Sequence, residues 1–287
     1  MGSSIDMEDL RRWIIAAIVS DDEVFEQLVL KGGNALLLHK VTDRASLDFD
    51  FSTSEKPTVD FLEQRLVGAL KRRLLGNRGL VVFDAEVCQK PKEPDREEWG
   101  GFLVTFKLID AEAYERLGRN DEDAARQSLT IDGMGQGKRI FRIEISPGEF
   151  TADKVETEVE DLVCYVYSLR MIVAEKLRAI CQQMSEYEFQ KTPKPRPRDF
   201  YDIHMVQTVE KMDLGGSKFH ELVRAVFKAK LVPPGLLGRI RATKEFHESG
   251  WPQVLASLRN PEKAQDFDFY FAFVLGEVEK LKALWEV

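Results

Sequence analysis

Cysteine is scarce in this chain. Cys88, Cys164 and Cys181 are the only three in 287 residues. They stand too far apart for a zinc site or a disulfide framework, so a reduced, cytoplasmic protein is expected. The histidines number four, and His204, His220 and His247 show no ligand spacing; they read as surface or packing residues. No apolar run approaches the roughly 20 residues that cross a bilayer. No basic segment leading into an apolar core marks a secretory signal, so no membrane role is expected. Excess positive charge is missing as well. A net charge of −8 argues against a protein that coats nucleic acid non-specifically, and confines any such partner to a local groove. There is no internal repeat and no low-complexity tract.

What remains is the composition of an ordinary globular protein, 44% hydrophobic and 31% charged, long enough for two domains with their own cores. The chain is organised around Lys31-Gly32-Gly33-Asn34-Ala35-Leu36-Leu37-Leu38, followed by Ser46-Leu47-Asp48-Phe49-Asp50-Phe51. The glycine pair lets backbone N–H groups approach a phosphate closely and opens a helix at its positive end. In the second stretch, strand alternation puts Asp48 and Asp50 on one face and Leu47, Phe49 and Phe51 on the other. Two carboxylates held together repel unless a cation lies between them, and a hard divalent ion, Mg²⁺ or Mn²⁺, suits oxygen ligands and substrate phosphates.

Met7 to Val29 reads as one helix, with Leu10, Ile14 and Ile18 at helical spacing, and Lys31 to His39 as the glycine-led helix. Pro57 to Leu75 is a further helix closed by Gly76-Asn77. Leu80 to Val87, Phe102 to Leu108 and Arg139 to Ile145 read as strands, with an inserted helix over Glu112 to Arg126. From Tyr165 onward the pattern is helical, which places a domain boundary near Val159 to Val163 and gives domains 1–162 and 163–287. The expected fold is an α/β domain with a small mixed sheet, followed by an all-helical C-terminal domain.

On the helix Ser168 to Met184, Lys176 sits inside the apolar stripe of Leu169, Ile172, Val173, Leu177, Ile180 and Cys181. A lysine there either finds an anion or snorkels to the rim. Lys191, Lys194, Arg196 and Arg198 follow, interleaved with three prolines that should hold their charges splayed along one line. Asp199, coming after proline, reads as an N-cap, with Asp202 as its capping-box partner.

The blocks KGGNALLLHK, RASLDFDFS, AEKLRA and RPRDFYDIH, in this order, resemble the AbiEii family: nucleotidyltransferase-like toxins of type IV toxin–antitoxin and abortive-infection systems, within the DNA polymerase beta-like nucleotidyltransferase superfamily. The resemblance covers about Val29 to Val206. It implies transfer of a nucleotide from an NTP to an RNA acceptor, the tRNA 3′ end, arresting growth, with a cognate antitoxin as partner. It further implies that Asp48, Asp50, Lys176 and Asp199 are catalytic, with Asp202 supporting. Asp48 and Asp50 would hold the metal; Gly32, Gly33, Ser46 and Lys176 would hold the nucleotide. Glu144 is the acid best placed as a third metal ligand, the alternative being a plain surface acid. The active site would lie in a cleft between the two domains. Two rivals stay open: transfer to a small molecule, as in aminoglycoside nucleotidyltransferases, and a non-catalytic nucleotide-binding module.

Overall fold

The computed structural model describes residues 5–42, 48–91, 100–130, 138–190 and 192–286. The chain divides into two units, Met1–Asn34 with Ser46–Val166, and Ala35–Ala45 with Tyr167–Val287.

The chain opens with α1 (Met7–Ile18) and α2 (Asp22–Gln27), then β1 (Val29–Lys31), α3 (Gly32–Leu38), which from Ala35 on is counted with the second unit, and β2 (Asp48–Ser52). The single helix expected over Met7 to Val29 is therefore broken. The Asp21 side chain accepts the Val24 N–H and starts a second helix. Val29–Lys31 is drawn into the sheet, antiparallel to β2 and parallel to a later strand. The next helix runs as α4 (Val59–Phe61), a π-helical stretch Leu62–Val67 and α5 (Gly68–Arg78). It ends three residues beyond the expected Leu75, because Gly79, at φ 63°, takes the left-handed C-cap conformation.

β3 (Leu80–Lys90) and β4 (Gly101–Asp110) form an antiparallel pair; α6 (Ala111–Arg116), α7 (Asp121–Gln127), β5 (Phe141–Ser146), β6 (Lys154–Val159) and β7 (Leu162–Tyr167) complete the unit. The β6 and β7 strands were not anticipated. Their alternating, β-branched segments are KVETEV and LVCYVY, and the second draws Tyr165, Val166 and Tyr167, read above as the start of the helical region, into the sheet.

The seven strands are ordered β3-β4-β5-β2-β1-β7-β6, a mixed sheet in which β2 runs parallel to β5 and β1 parallel to β7. One face is apolar across its central strands. Leu30, Phe51, Ile145 and Phe102 form one transverse row, and Phe49, Ile143 and Val104 the next, all buried. The Phe106 and Phe141 rings stack at 5.4 Å. The opposite face is covered at the β3 side by a small cluster of Phe83, Ile109 and Ala124, with Tyr114 and Leu117 around it; its centre carries charged side chains.

The second unit contains α8 (Leu169–Cys181), α9 (Pro197–Glu210), α10 (Ser217–Ala229), a 3₁₀ stretch Pro234–Thr243, α11 (Lys244–Glu248), α12 (Trp251–Leu255) and α13 (Phe267–Glu279). The helical C-terminal region is thus present. Phe200 anchors it, lying 5.2 Å from the His247 ring and 5.3 Å from both Phe267 and Phe271. Among the described residues no helix is long and apolar enough to cross a membrane.

Asp21 ties α2 to the Arg65 and Arg72 guanidiniums as well as capping its helix. Asp21→Ala is expected to lower stability by about 1–2 kcal/mol, the upper part of the range for a lost N-cap. A melting temperature equal to wild type would count against that assignment.

Candidate active site

The β2 strand alternates as its sequence requires. Phe49 and Phe51 are buried in the apolar face, while Asp48 is exposed and Asp50 half-buried on the other. β5 does the same, burying Phe141, Ile143 and Ile145 and exposing Arg142 and Glu144. Since β2 and β5 pair in parallel with Asp50 opposite Glu144 and Asp48 opposite Arg142, all four side chains share one face. Glu144 is thereby the immediate cross-strand neighbour of Asp50. On the other side of Asp50 the partner is Lys31 of β1. Leu103, Glu144, Asp50 and Lys31 consequently form a row across four strands.

Gly32 turns the chain out of this row. Its φ is 67°, a left-handed conformation, and a Cβ built on it would lie 2.5 Å from Asp50 Oδ2. Only glycine combines that backbone with that approach. Two residues on, buried Asn34 donates from Nδ2 to the Asp48 carbonyl at 2.8 Å. This fixes the first residue of β2 against the start of α3. The Lys31 ammonium stands 3.6 Å from Glu149 Oε1. The acid face thus has hard oxygen donors and a backbone turn with no side chain of its own, a donor set that fits Mg²⁺ or Mn²⁺. Among the described residues no three acidic or imidazole groups converge as a closed metal cage; the acids stand side by side along the strands.

The second unit holds a different arrangement. Lys176 is 5% exposed and its Nζ donates to Asp199 Oδ1 at 2.9 Å and Asp202 Oδ2 at 2.6 Å. Asp199 and Asp202 are 2% and 0% exposed. The Arg196 guanidinium also binds Asp199. Burial works against the charge on Lys176, but the two carboxylates outweigh it and raise its pKa. Burial likewise pushes against ionised Asp199, yet Arg196 and Lys176 hold its carboxyl well below the usual range. The anion that a lysine on this stripe had to meet is supplied by α9.

Three expectations change here. Asp199 is not the N-cap of α9; Arg196 occupies that position without a side-chain cap bond, and Pro197 takes the first helical turn. Asp199 is freed to face Lys176. Arg196 does not lie in an open line of charges, because its side chain is folded onto Asp199, while Lys194 and Arg198 are exposed. His247, set aside from sequence, is fully buried; its Nδ1 accepts the Arg196 backbone N–H at 3.0 Å. Burial pushes its pKa down from 6.5 to about 4. The i, i+3 spacing of Arg196 and Asp199 could have signalled their pairing; nothing in the sequence pointed to His247 or Glu149. Ser46, Arg44, Lys191 and the glycine-rich stretch 131–137 lie outside the described residues.

A model of the family described as nucleotidyl transferase AbiEii toxin, type IV TA system, matches residues 13–285. Among solved structures, JHP933 from Helicobacter pylori superposes with a TM-score of 0.51 at 16% identity, over 98% of this chain and 95% of its own. That likeness shows a shared fold. A candidate nucleotidyltransferase from H. pylori gives 0.49 at 14% identity over 98% and 97%. An antigenic nucleotidyltransferase-like protein from Paracoccidioides brasiliensis gives 0.37 at 14% over 84% and 95%. No curated protein matches the chain.

Gly32→Ala must displace the Asp50 carboxylate or unwind the turn. It is expected to cost about 1–3 kcal/mol of stability and, in a nucleotide-transfer assay, roughly 10²-fold in rate, as for a displaced electrostatic group. Near-normal transfer in a folded Gly32→Ala protein would show that the close approach is dispensable.

The buried cluster sets a pH dependence with two limbs. The unfolded chain protonates His247 near 6.5 and the folded one only near 4. Stability should therefore drop as pH falls through that window, by roughly 3 kcal/mol in all. Asp199, whose folded pKa is depressed, adds a second loss below about pH 4, the unfolded carboxylate value. His247→Gln should shrink the first limb to the part contributed by half-buried His204, whose pKa burial also lowers, and keep the second in melting curves taken from pH 7 to 3. Unchanged pH dependence in that variant would refute the assignment.

Proposed function

Because the chain belongs to the AbiEii family, the nucleotidyl transferase toxins of type IV toxin–antitoxin systems, we propose that it transfers a nucleotide from an NTP to an RNA acceptor, the 3′ end of a tRNA. The observation that carries this reading is the acid face: Asp48, Asp50 and Glu144 stand together on adjacent strands, with the Gly32 backbone pressed against Asp50. Family membership implies a nucleotide substrate and an antitoxin partner; the acceptor and the metal are part of the proposal.

In the proposed reaction an acceptor hydroxyl attacks the α-phosphorus. A new P–O bond forms, the α–β phosphoanhydride breaks, pyrophosphate leaves, and the hydroxyl proton passes to a carboxylate of the acid face. Asp48 and Asp50, with Glu144 as the neighbouring acid, would hold Mg²⁺ or Mn²⁺, which supplies Lewis-acid neutralisation of phosphate charge when bound. Gly32 and Gly33 bring backbone close to the phosphates, and Asn34 keeps Asp48 in register through its carbonyl. Ser46 is proposed as a further phosphate contact. Lys176 and Asp199 are proposed as catalytic residues on the strength of the family resemblance. Exposed Lys194 and Arg198, next to the start of α9, support an RNA acceptor over a small one. Growth arrest through blocked tRNA follows from that acceptor.

The test is incubation with each labelled NTP, Mg²⁺ and total RNA, followed by sizing of the labelled product. Label is expected in the tRNA-sized fraction, and Asp48→Asn and Asp50→Asn should lower it by at least roughly 10²-fold while remaining folded. Label that stays in small molecules would favour the aminoglycoside-type reading. Wild-type transfer by either variant would remove the acid face from the chemistry.

A further inference from the structure

The acid row has two unlike ends. At the β1 end the chain turns at Gly32, whose bare backbone is the phosphate cradle of the proposed reaction. At the β5 end stands Glu144, with Arg142 two residues before it on the same strand and the same face. Nucleotidyl transfer is an in-line displacement, so the attacking and leaving oxygens lie on opposite sides of the phosphorus. With the leaving pyrophosphate beside Gly32, the acceptor hydroxyl arrives over β5.

The surface it meets there is the next row of the sheet. Asp48, Arg142, Thr105 and Glu86 stand in register across β2, β5, β4 and β3. Arg142 is exposed and Thr105 half-buried. Sheet pairing on both sides, with Asp48 and with Thr105, fixes the backbone from which the arginine projects. Among the described residues Arg142 has no ion-pair partner, although Asp48 is directly across from it. The nearest cation on β4 is already engaged: Lys107 Nζ lies 2.6 Å from Asp84 Oδ2. An RNA acceptor must bring its phosphates up to a face that bears Asp48, Asp50 and Glu144. Arg142, always charged and with five donors in a planar fork, is suited to receive one of them.

We propose that Arg142 is an acceptor-binding residue, its guanidinium holding a backbone phosphate of the RNA on the β5 side of the acid face. This rests on the acid face being the site of transfer to RNA. A purely structural role, a fixed counter-charge that relieves repulsion between Asp48 and Glu144, makes a different demand. Its removal would weaken binding of the NTP with Mg²⁺ and leave RNA affinity untouched.

Transfer kinetics with each labelled NTP, Mg²⁺ and purified total tRNA separate the two roles in wild type, Arg142→Gln and Arg142→Lys. NTP affinity in Mg²⁺ is read by calorimetry, and Asp50→Asn is assayed for transfer alongside. Arg142→Gln is expected to raise KM for tRNA roughly 10–100-fold, the loss for one hydrogen bond to a charged group. It should also flatten the slope of log K for RNA binding against log salt by roughly 0.7–0.9, as for one lost phosphate contact. NTP affinity should stay as in wild type. Arg142→Lys keeps the charge and should restore the slope while recovering part of KM, and melting temperatures report any folding loss separately. Wild-type KM for tRNA in Arg142→Gln, or a loss confined to NTP and Mg²⁺, would overturn the proposal. If Asp50→Asn loses transfer while Arg142→Gln keeps its affinity for tRNA, the inference alone falls. If wild type labels no RNA, the reading beneath it falls as well.

Discussion

The first unit depends on one near-contact between backbone and carboxylate. At Gly32 the main chain passes so close to Asp50 that a methyl group would fall 2.5 Å from Oδ2, and it does so in a left-handed conformation. The β1 strand can therefore sit beside β2 and still turn abruptly into α3, with Asn34 reaching back to the Asp48 carbonyl. Each piece constrains the next. Pairing of β1 with β2 sets where Lys31 lies, Gly32 sets where Asp50 can point, and the β2–β5 register sets which acid of β5 stands beside it.

The two units place their carboxylates in opposite surroundings. On the sheet, Asp48 and Glu144 face solvent and Asp50 is half-buried, so water screens their mutual repulsion. In the helical unit, Asp199 and Asp202 are removed from water and must be compensated within the chain. Lys176 bridges them and Arg196 takes the outer oxygen of Asp199. Burying charge in this way is costly unless the geometry is good, and removing one partner costs more than the pair contributes. The first arrangement suits reversible binding of charged ligands; the second suits rigid positioning of α9 against α8.

The alternation in LDFDF was legible because a strand buried on one side imposes a period of two, and the acids had no choice but to share the other side. That a lysine on the α8 stripe must meet an anion was also legible. Which anion was not, since Asp199 and Asp202 come from a helix more than twenty residues on, and pairing across such a distance leaves no periodic trace. The break between α1 and β1 was hidden by Val24 and Leu28, apolar residues that continue the helical spacing beyond the Asp21 cap. Asp199 looked like a cap because caps favour aspartate before helices, but Pro197 already occupied the first turn. The hairpin of β6 and β7 was lost to the strong helical signal immediately after it.

The strand order also carries a consequence for biosynthesis. Two neighbouring pairs in the sheet are remote in the chain: β5, which begins at Phe141, is inserted between β4 and β2, and β7 closes against β1. Such long-range pairing is slow to form, because wide loops must close before any ladder hydrogen bond rewards them. A nascent chain that has emerged only as far as β4 possesses Asp48 and Asp50 but neither Glu144 nor the strand that holds β2 on that side. The acidic row therefore comes into being late, as a product of tertiary assembly, and a ribosome translating this protein releases most of its first unit before that row exists.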